Sequence, residues 1–288
     1  MSKPVKVAAV QLSSGTNVAA NVDAALALVE AAVALGATYI QLPEYFNYLG
    51  PARTYAQFAE SIPGPTINRM ADLARSRGVT LHVGSVLERS SDITSYNTSV
   101  IIDPAGHIVA TYRKVHLFDV NVPGAVVHRE SDGIVPGNEL VIANLAAFRL
   151  GLSICFDVRF PEMYRVLGAR GAQVLAIPAA FNASTGAAHW EILVRSRAIE
   201  NHTFVIAAAQ VGRTPEGIDT FGHSLIVDPW GVILAEAKSN GPEVIVAELD
   251  IKEVARRREQ IDVMNLRRLD IYGTAANTLD TSVPPRCE

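Results

Sequence analysis

Cysteine is the side chain here best suited to attack a carbonyl carbon, and the sequence holds only two, Cys155 and Cys287. A cysteine nucleophile needs a base to take its proton and donors to receive the oxyanion that its attack creates. Cys155 closes the apolar run RLGLSIC and is followed at once by the polar turn FDVRFPE, with Pro161 opening the next helix. A lone cysteine is most often a small buried hydrophobe. At a strand-to-helix turn, however, a thiol points out of the sheet edge, and the N–H groups after it can face a developing negative charge. Three charged residues stand in comparable places. Glu44 follows the strand-like TYIQLP, where a carboxylate needs a partner to be tolerated. Lys114 ends HIVATYRK and precedes the apolar VHLF, whereas its neighbour Arg113 reads as a surface residue. Glu130 lies in HRESDGIVPG and, taken alone, reads as a solvated loop acid. Cys287, in the tail SVPPRCE, is expected to be an exposed thiol without a role.

The elements that position these residues come from an internal repeat. GATYIQLPEYF recurs as GAQVLAIPAAF, pairing Gly36 with Gly171, Ala37 with Ala172, Pro43 with Pro178 and Phe46 with Phe181. SVIIDPAGHIVATY recurs in the same order as SLIVDPWGVILAEA. Two repeats in one order imply two copies of a single α/β unit. The copies differ where chemistry is suspected: Ala179 stands opposite Glu44 and Ser239 opposite Lys114, so the fold itself requires neither charge.

In each copy a helix-period segment ends at glycine, a short β-rich run is stopped by proline, and a second helix leads to paired strands around an Asp-Pro turn. The first copy gives a helix over 21–37, a strand over 38–43, a helix ending at Gly78, and strands over 79–88, 98–103 and 107–114. The second gives a helix from Pro161 to about Arg170, strands over 174–178 and 203–210, a helix around His189 to Asn201, and the hairpin 224–237. Strands apolar on both faces belong to covered sheets. The fold expected is α/β, a four-layer α-β-β-α sandwich of two pseudo-symmetric halves. Residues 1–261 form one domain. A tail over 262–288, after the basic helix KEVARRREQI, is expected to pack on a partner subunit of a homodimer or larger homo-oligomer.

Composition narrows the function. Hydrophobic residues make up 49% and charged residues 19%, against about 25% charged in an average soluble domain, which fits buried layers and excludes disorder. A net charge of −4 supplies no reason to bind nucleic acid or an anionic membrane. No apolar run approaches a membrane span and MSKPVKVAAVQL is too short for a secretory signal, so a cytoplasmic location is expected. There is no GxSxG elbow, phosphate loop or GxGxxG, and neither the 7 histidines nor the cysteines show metal-ligand spacing; no metal or cofactor is expected.

LPEYF around Glu44, YRKVHLFDV around Lys114 and SICFDVRFPE around Cys155 resemble the three signature motifs of the nitrilase superfamily of carbon–nitrogen hydrolases. PGAVVHRESDGIVPG, PAAFNASTGAAHWEILVRSRAIEN and FGHSLIVDPWG resemble the branch of ω-amidases and deaminated-glutathione amidases. True nitrilases usually follow the cysteine with Trp-Glu, whereas here Phe156 and Asp157 follow it, and the branch commonly has tyrosine in place of Phe156. The resemblance implies a thiol amidase acting on a small-molecule amide. Cys155 is its nucleophile, Glu44 its proton shuttle, Lys114 and the Phe156 N–H its oxyanion donors, and Glu130 a second acid near Lys114.

A distal carboxylate on the substrate would call for a guanidinium. Arg159 and Arg53 are the candidates, with Phe181 and Asn182 beside the substrate. For Arg159 an ion pair with Asp157 or Glu162 is the competing expectation. Arg195, Arg197 and Glu200 read as residues that tie a helix down. Rival functions are an N-carbamoyl amidohydrolase or general aliphatic amidase on the same site, and, in another class, a binding or scaffold protein without turnover.

Overall fold

The computed structural model describes residues 3–122, 126–215, 217–238 and 240–271. Ser239, Cys287 and the tail beyond residue 271 lie outside the described residues. In chain order the first copy contains β1 (Val5–Gln11), α1 (Val18–Ala34), β2 (Tyr39–Gln41), α2 (Tyr55–Phe58), α3 (Pro65–Arg77), β3 (Thr80–Arg89), β4 (Ser95–Ile102) and β5 (Ile108–Arg113). A hairpin, β6 (Asp119–Val122) and β7 (Val126–Arg129), separates it from the second copy. There follow β8 (Ile142–Asn144), β9 (Arg149–Leu152), α4 (Pro161–Ala169), β10 (Val174–Ala176), α5 (Ala183–Asn201) and β11 (Phe204–Ala207). A second small hairpin, β12 (Val211–Arg213) and β13 (Asp219–Phe221), precedes β14 (Leu225–Val227), β15 (Ile233–Glu236), β16 (Glu243–Leu249) and α6 (Lys252–Gln260).

Two sheets of six strands carry the molecule, ordered β16-β1-β2-β3-β4-β5 and β8-β9-β10-β11-β14-β15. In each, three central parallel strands are flanked by one antiparallel strand on one side and an antiparallel pair on the other. The matched strands are those the repeat predicts, β2 with β10 and the β4–β5 hairpin with β14–β15. The far end of the chain supplies β16, which pairs with β1 and completes the first sheet. The first sheet is thus complete only with a strand from the far end of the chain, whereas the second is built from one continuous stretch.

Alternation along the strands builds the layers, because successive side chains face opposite ways. From β1, Val7 and Ala9 enter the core between the sheets with Leu150, Leu152, Val174 and Ile206, while Ala8 and Val10 meet Val22, Ala25 and Val29 of α1 and Met70 and Ala74 of α3. Each fully buried Val or Leu contributes about 1.5–3 kcal/mol. Helix ends follow local chemistry: Asn17 caps α1, and α3 stops where Gly78 turns left-handed at φ 64°.

Two elements depart from expectation. The strand before Cys155 stops at Leu152, and Cys155 opens a 3₁₀ turn over Cys155–Arg159. Helix α5 begins at Ala183, upstream of the His189 region. Its first turns are the small and polar ASTGAA, which lack an apolar stripe. The start is set by Asn182, whose side chain accepts from the Ser184 N–H at 2.9 Å. Arg197 does tie its helix down, donating to Val158 O at 2.8 Å from a nearly buried position.

Candidate active site

Glu44, Lys114, Glu130 and Cys155 meet at one end of the sheets, in a cleft of about 770 Å³ open to solvent. Glu44 follows β2, Lys114 immediately follows β5, and Glu130 opens a 3₁₀ turn after β7. Two glycines let the backbone close around them. A Cβ on Gly84 of β3 would lie 2.0 Å from Leu42 O and 2.3 Å from Pro43 O, just before Glu44. One on Gly137 would lie 2.2 Å from Arg113 O, just before Lys114.

All three charged residues are 2% exposed at the side chain. The Lys114 ammonium lies 3.0 Å from Glu44 Oε1 and 2.8 Å from Glu130 Oε2. Burial opposes charge on this lysine, yet Glu130, Glu44 and Cys155 together raise its pKa well above the ordinary value, so it stays an ammonium. Burial likewise opposes charge on Glu130. The Lys114 ammonium, with hydrogen bonds from the Phe118 N–H at 2.7 Å and the Tyr45 hydroxyl at 2.7 Å, nevertheless holds its carboxyl below the usual range. Glu44 Oε2 accepts from the Ala180 N–H at 2.8 Å, and its carboxylate also takes the hydrogen bond of the Cys155 thiol.

Burial first, then Glu44, push the Cys155 thiol well above its ordinary pKa, against the pull of Lys114. A thiol of raised pKa beside the Glu44 carboxylate fits attack assisted by a base rather than a preformed thiolate. Cys155 has φ 47° and Tyr45 φ 54°, both in the left-handed region that non-glycine residues enter at a cost of about 1–3 kcal/mol. The turn is secured by the Cys155 N–H on Pro178 O at 2.9 Å and by the buried carboxylate of Asp157, which accepts from the Ile154 N–H at 2.8 Å and Tyr112 OH at 2.7 Å.

Asp157 is therefore engaged, and also meets His116 Nδ1 at 2.8 Å. Among the described residues no ion pair involves Arg159, so the expected pairing with Asp157 or Glu162 does not form. Arg159 lines the cleft, its guanidinium 5.0 Å from the Phe181 ring centre and 3.3 Å from His189 Nδ1. Burial pulls its pKa down, with Cys155 acting the other way. Phe156, Phe181 and Asn182 also line the cleft, although Asn182 spends its oxygen on the α5 cap. Arg53 is exposed and outside it. Sequence reasoning missed Asn97, which contacts both carboxylates, and the Tyr45 hydroxyl. Asn97 sits in the strand SYNTSVII among Ser95, Tyr96, Thr98 and Ser99, so no local signal in the sequence singles it out.

A cysteine, glutamate and lysine buried in one cluster on this four-layer sandwich define the nitrilase-superfamily class of protein. The chain belongs to its carbon-nitrogen hydrolase family, whose pattern matches residues 6–259. It is 36% identical over 267 residues to the human ω-amidase NIT2, covering 93% of this chain and 96% of that one. It is 40% identical over 280 residues to the mouse deaminated glutathione amidase, covering 95% and 86%. The C. elegans NitFhit protein superposes with a TM-score of 0.88 at 37% identity, over 94% of this chain and 66% of that one. A mutant amidase from Nesterenkonia sp. AN1, with a TM-score of 0.80 and 25% identity over 94% and 97%, shows covalent addition of the acetamide moiety of fluoroacetamide at its active site cysteine.

Proposed function

We propose that this chain is a thiol amidase that hydrolyses small ω-amides of the α-ketoglutaramate or deaminated-glutathione kind. The observation that carries this reading is the Lys114 ammonium held between two buried carboxylates beside the Cys155 thiol. The Cys155 sulfur attacks the amide carbon, a C–S bond forms, and the thiol proton passes to Glu44. The carbonyl electron pair moves onto oxygen, where Lys114 and the Phe156 N–H receive it. The Lys114 ammonium meets Glu44 Oε1 and both Glu130 oxygens, so one N–H shared between the two Glu130 oxygens leaves a third donor for the oxyanion. Glu44 then protonates the leaving nitrogen, the C–N bond breaks, and a thioester remains. Water, deprotonated by Glu44, attacks the thioester carbon, the C–S bond breaks, the Cys155 sulfur takes the proton back from Glu44, and the acid product leaves. Glu130 keeps the lysine charged and placed.

Arg159 supports the substrate class: it lines the cleft with no carboxylate partner among the described residues, and a distal substrate carboxylate would supply one. The relatives named ω-amidase and deaminated glutathione amidase support the same reading. No helix among the described residues is long and apolar enough to cross a membrane. A cytoplasmic enzyme acting as a homo-oligomer, with residues 1–261 as one domain and 262–288 packed on a partner, completes the proposal. Leu266, Leu269 and Ile271 support the last point, all three being exposed where the tail begins.

Ammonia release measured across succinamate, butyramide, N-carbamoyl compounds and nitriles tests this reading. Succinamate is expected to be far the best of these; fastest turnover of a carbamoyl compound or a nitrile would refute the substrate class.

A further inference from the structure

One residue of β4 touches three members of the cluster without lining the cleft. Asn97 is fully buried, and its backbone carbonyl accepts from the Lys114 N–H at 2.9 Å. Its side-chain Nδ2 donates to Glu44 Oε1 at 2.9 Å and to Glu130 Oε1 at 3.2 Å. A primary amide has two N–H donors, and here each faces a different carboxylate. The reverse orientation would aim the amide carbonyl at two anions, so the carboxylates themselves fix which way it points.

Its Oδ1 is buried with no hydrogen-bond partner among the described residues. An unpartnered buried oxygen is destabilising, and an apolar residue on this strand would avoid it. What the amide supplies in return is a pair of donors with no charge of their own. A cation there would compete with Lys114 for the carboxylates, and an acid would add a third negative charge to the site.

We infer that Asn97 is a positioning residue that holds the Glu44 and Glu130 carboxylates apart and oriented, so that Glu44 faces the Cys155 thiol while Lys114 stays between them. This rests on the roles proposed above for those residues. The ionisable groups facing Asn97 and its two partners are Lys114 just after β5, Cys155 from the nucleophile turn and Tyr45 from the segment after β2. Hydrogen bonds to the charged form favour ionisation, and their removal therefore moves proton uptake by the cluster to higher pH.

Asn97→Leu and the smaller, strand-compatible Asn97→Thr provide the test. In Asn97→Leu, kcat on succinamate should fall about 10- to 100-fold, as expected when hydrogen bonds to charged groups are removed. KM should change little, since Asn97 does not touch the cleft, and the acid limb of kcat/KM should move to higher pH. Asn97→Thr, which retains one donor, should fall between. A substrate-independent readout is the pH dependence of Cys155 alkylation by iodoacetamide, followed by peptide mass spectrometry, whose acid limb should shift the same way. An unmoved pH profile in both measurements, a change in KM alone, or unfolding of both variants at 25 °C would overturn the inference. Unaltered turnover in Cys155→Ala would instead overturn the proposed reaction.

Discussion

The Glu44 carboxylate is held at 2.8 Å by the backbone N–H of Ala180, the residue after Glu44's own repeat counterpart, Ala179. The two copies of the α/β unit therefore meet at the point where they have diverged. One contributes the carboxylate, and the other the amide that orients it and the turn that bears the sulfur. The site belongs to neither half alone.

Removing the sulfur removes the only atom through which the proposed covalent step can pass. Cys155→Ala should lose turnover on the order of 10⁶-fold, with melting little changed. Peptide mass spectrometry after one equivalent of iodoacetamide should find the label on Cys155. Label on Cys287 with activity intact would contradict the assignment.

Lys114→Ala should lower turnover by at least about 10²-fold and also destabilise the fold. Removing the cation leaves two carboxylates buried, which costs about 3–5 kcal/mol at neutral pH. The pH dependence follows from Glu130, whose folded-state pKa the lysine holds down. That stabilisation is present above the unfolded glutamate value of about 4.3 and is lost as pH falls through the lower folded value. The gap in melting temperature between parent and variant should thus hold from pH 7 down to about 4.3 and narrow only below it. A constant gap would mean that Lys114 stabilises by packing alone.

Arg159→Met separates binding of a distal carboxylate from chemistry. Taking the charged partner away from a carboxylate in the transition state costs about 2–5 kcal/mol, so kcat/KM on succinamate should drop by roughly 10²-fold. The rate on butyramide should barely change. Equal losses on both substrates would make Arg159 a structural residue of the cleft.

Gly84→Ala should displace the Glu44 segment, because its Cβ would collide with the carbonyls of Leu42 and Pro43 and backbone yields little. Overpacking of this kind costs about 1–3 kcal/mol, and a misplacement near 1 Å can cost about 10²-fold in rate. Kinetics and thermal melting together check it; an unaltered kcat would show that β2 can move without disturbing Glu44.

His82 lies fully buried between the sheets, its Nδ1 2.9 Å from Tyr39 OH and its Nε2 against Ser99 Oγ, and burial pulls its pKa down to about 3. The unfolded chain takes up this proton near pH 6.5 and the folded one only near 3, so stability falls as pH drops between these values. From pH 6 to 4 this group alone should cost about 2–3 kcal/mol. His82→Gln should flatten that part of the stability curve in urea titrations. An unchanged slope would assign the acid sensitivity to the carboxylates.

Local pattern made much of this legible from sequence alone. The doubled segments around Pro43 and Pro178, and around the two Asp-Pro turns, gave the strands and their equivalence, since strand period, glycine stops and proline breaks act within a few residues. Glu44, Lys114 and Cys155 were readable as charges and a thiol at the ends of apolar runs, and as the family's motifs. Other features depend on contacts between distant residues. Pairing of β16 with β1 is decided by which edge is left open after everything else has folded. The αL turn at Cys155, the engagement of Asp157 by His116 and Tyr112, and the lack of a carboxylate partner for Arg159 among the described residues arise where separate segments are pressed together. Glu130 was a loop acid until the β6–β7 hairpin carried it 2.8 Å from Lys114. Asn97 is one of several polar residues in its strand, and only the convergence of two carboxylates on its amide sets it apart. The sequence determines which groups are present and which short elements carry them. Which buried charges share a partner is decided by tertiary structure, because desolvation and Coulomb energy depend on distances through space that separation along the chain does not record.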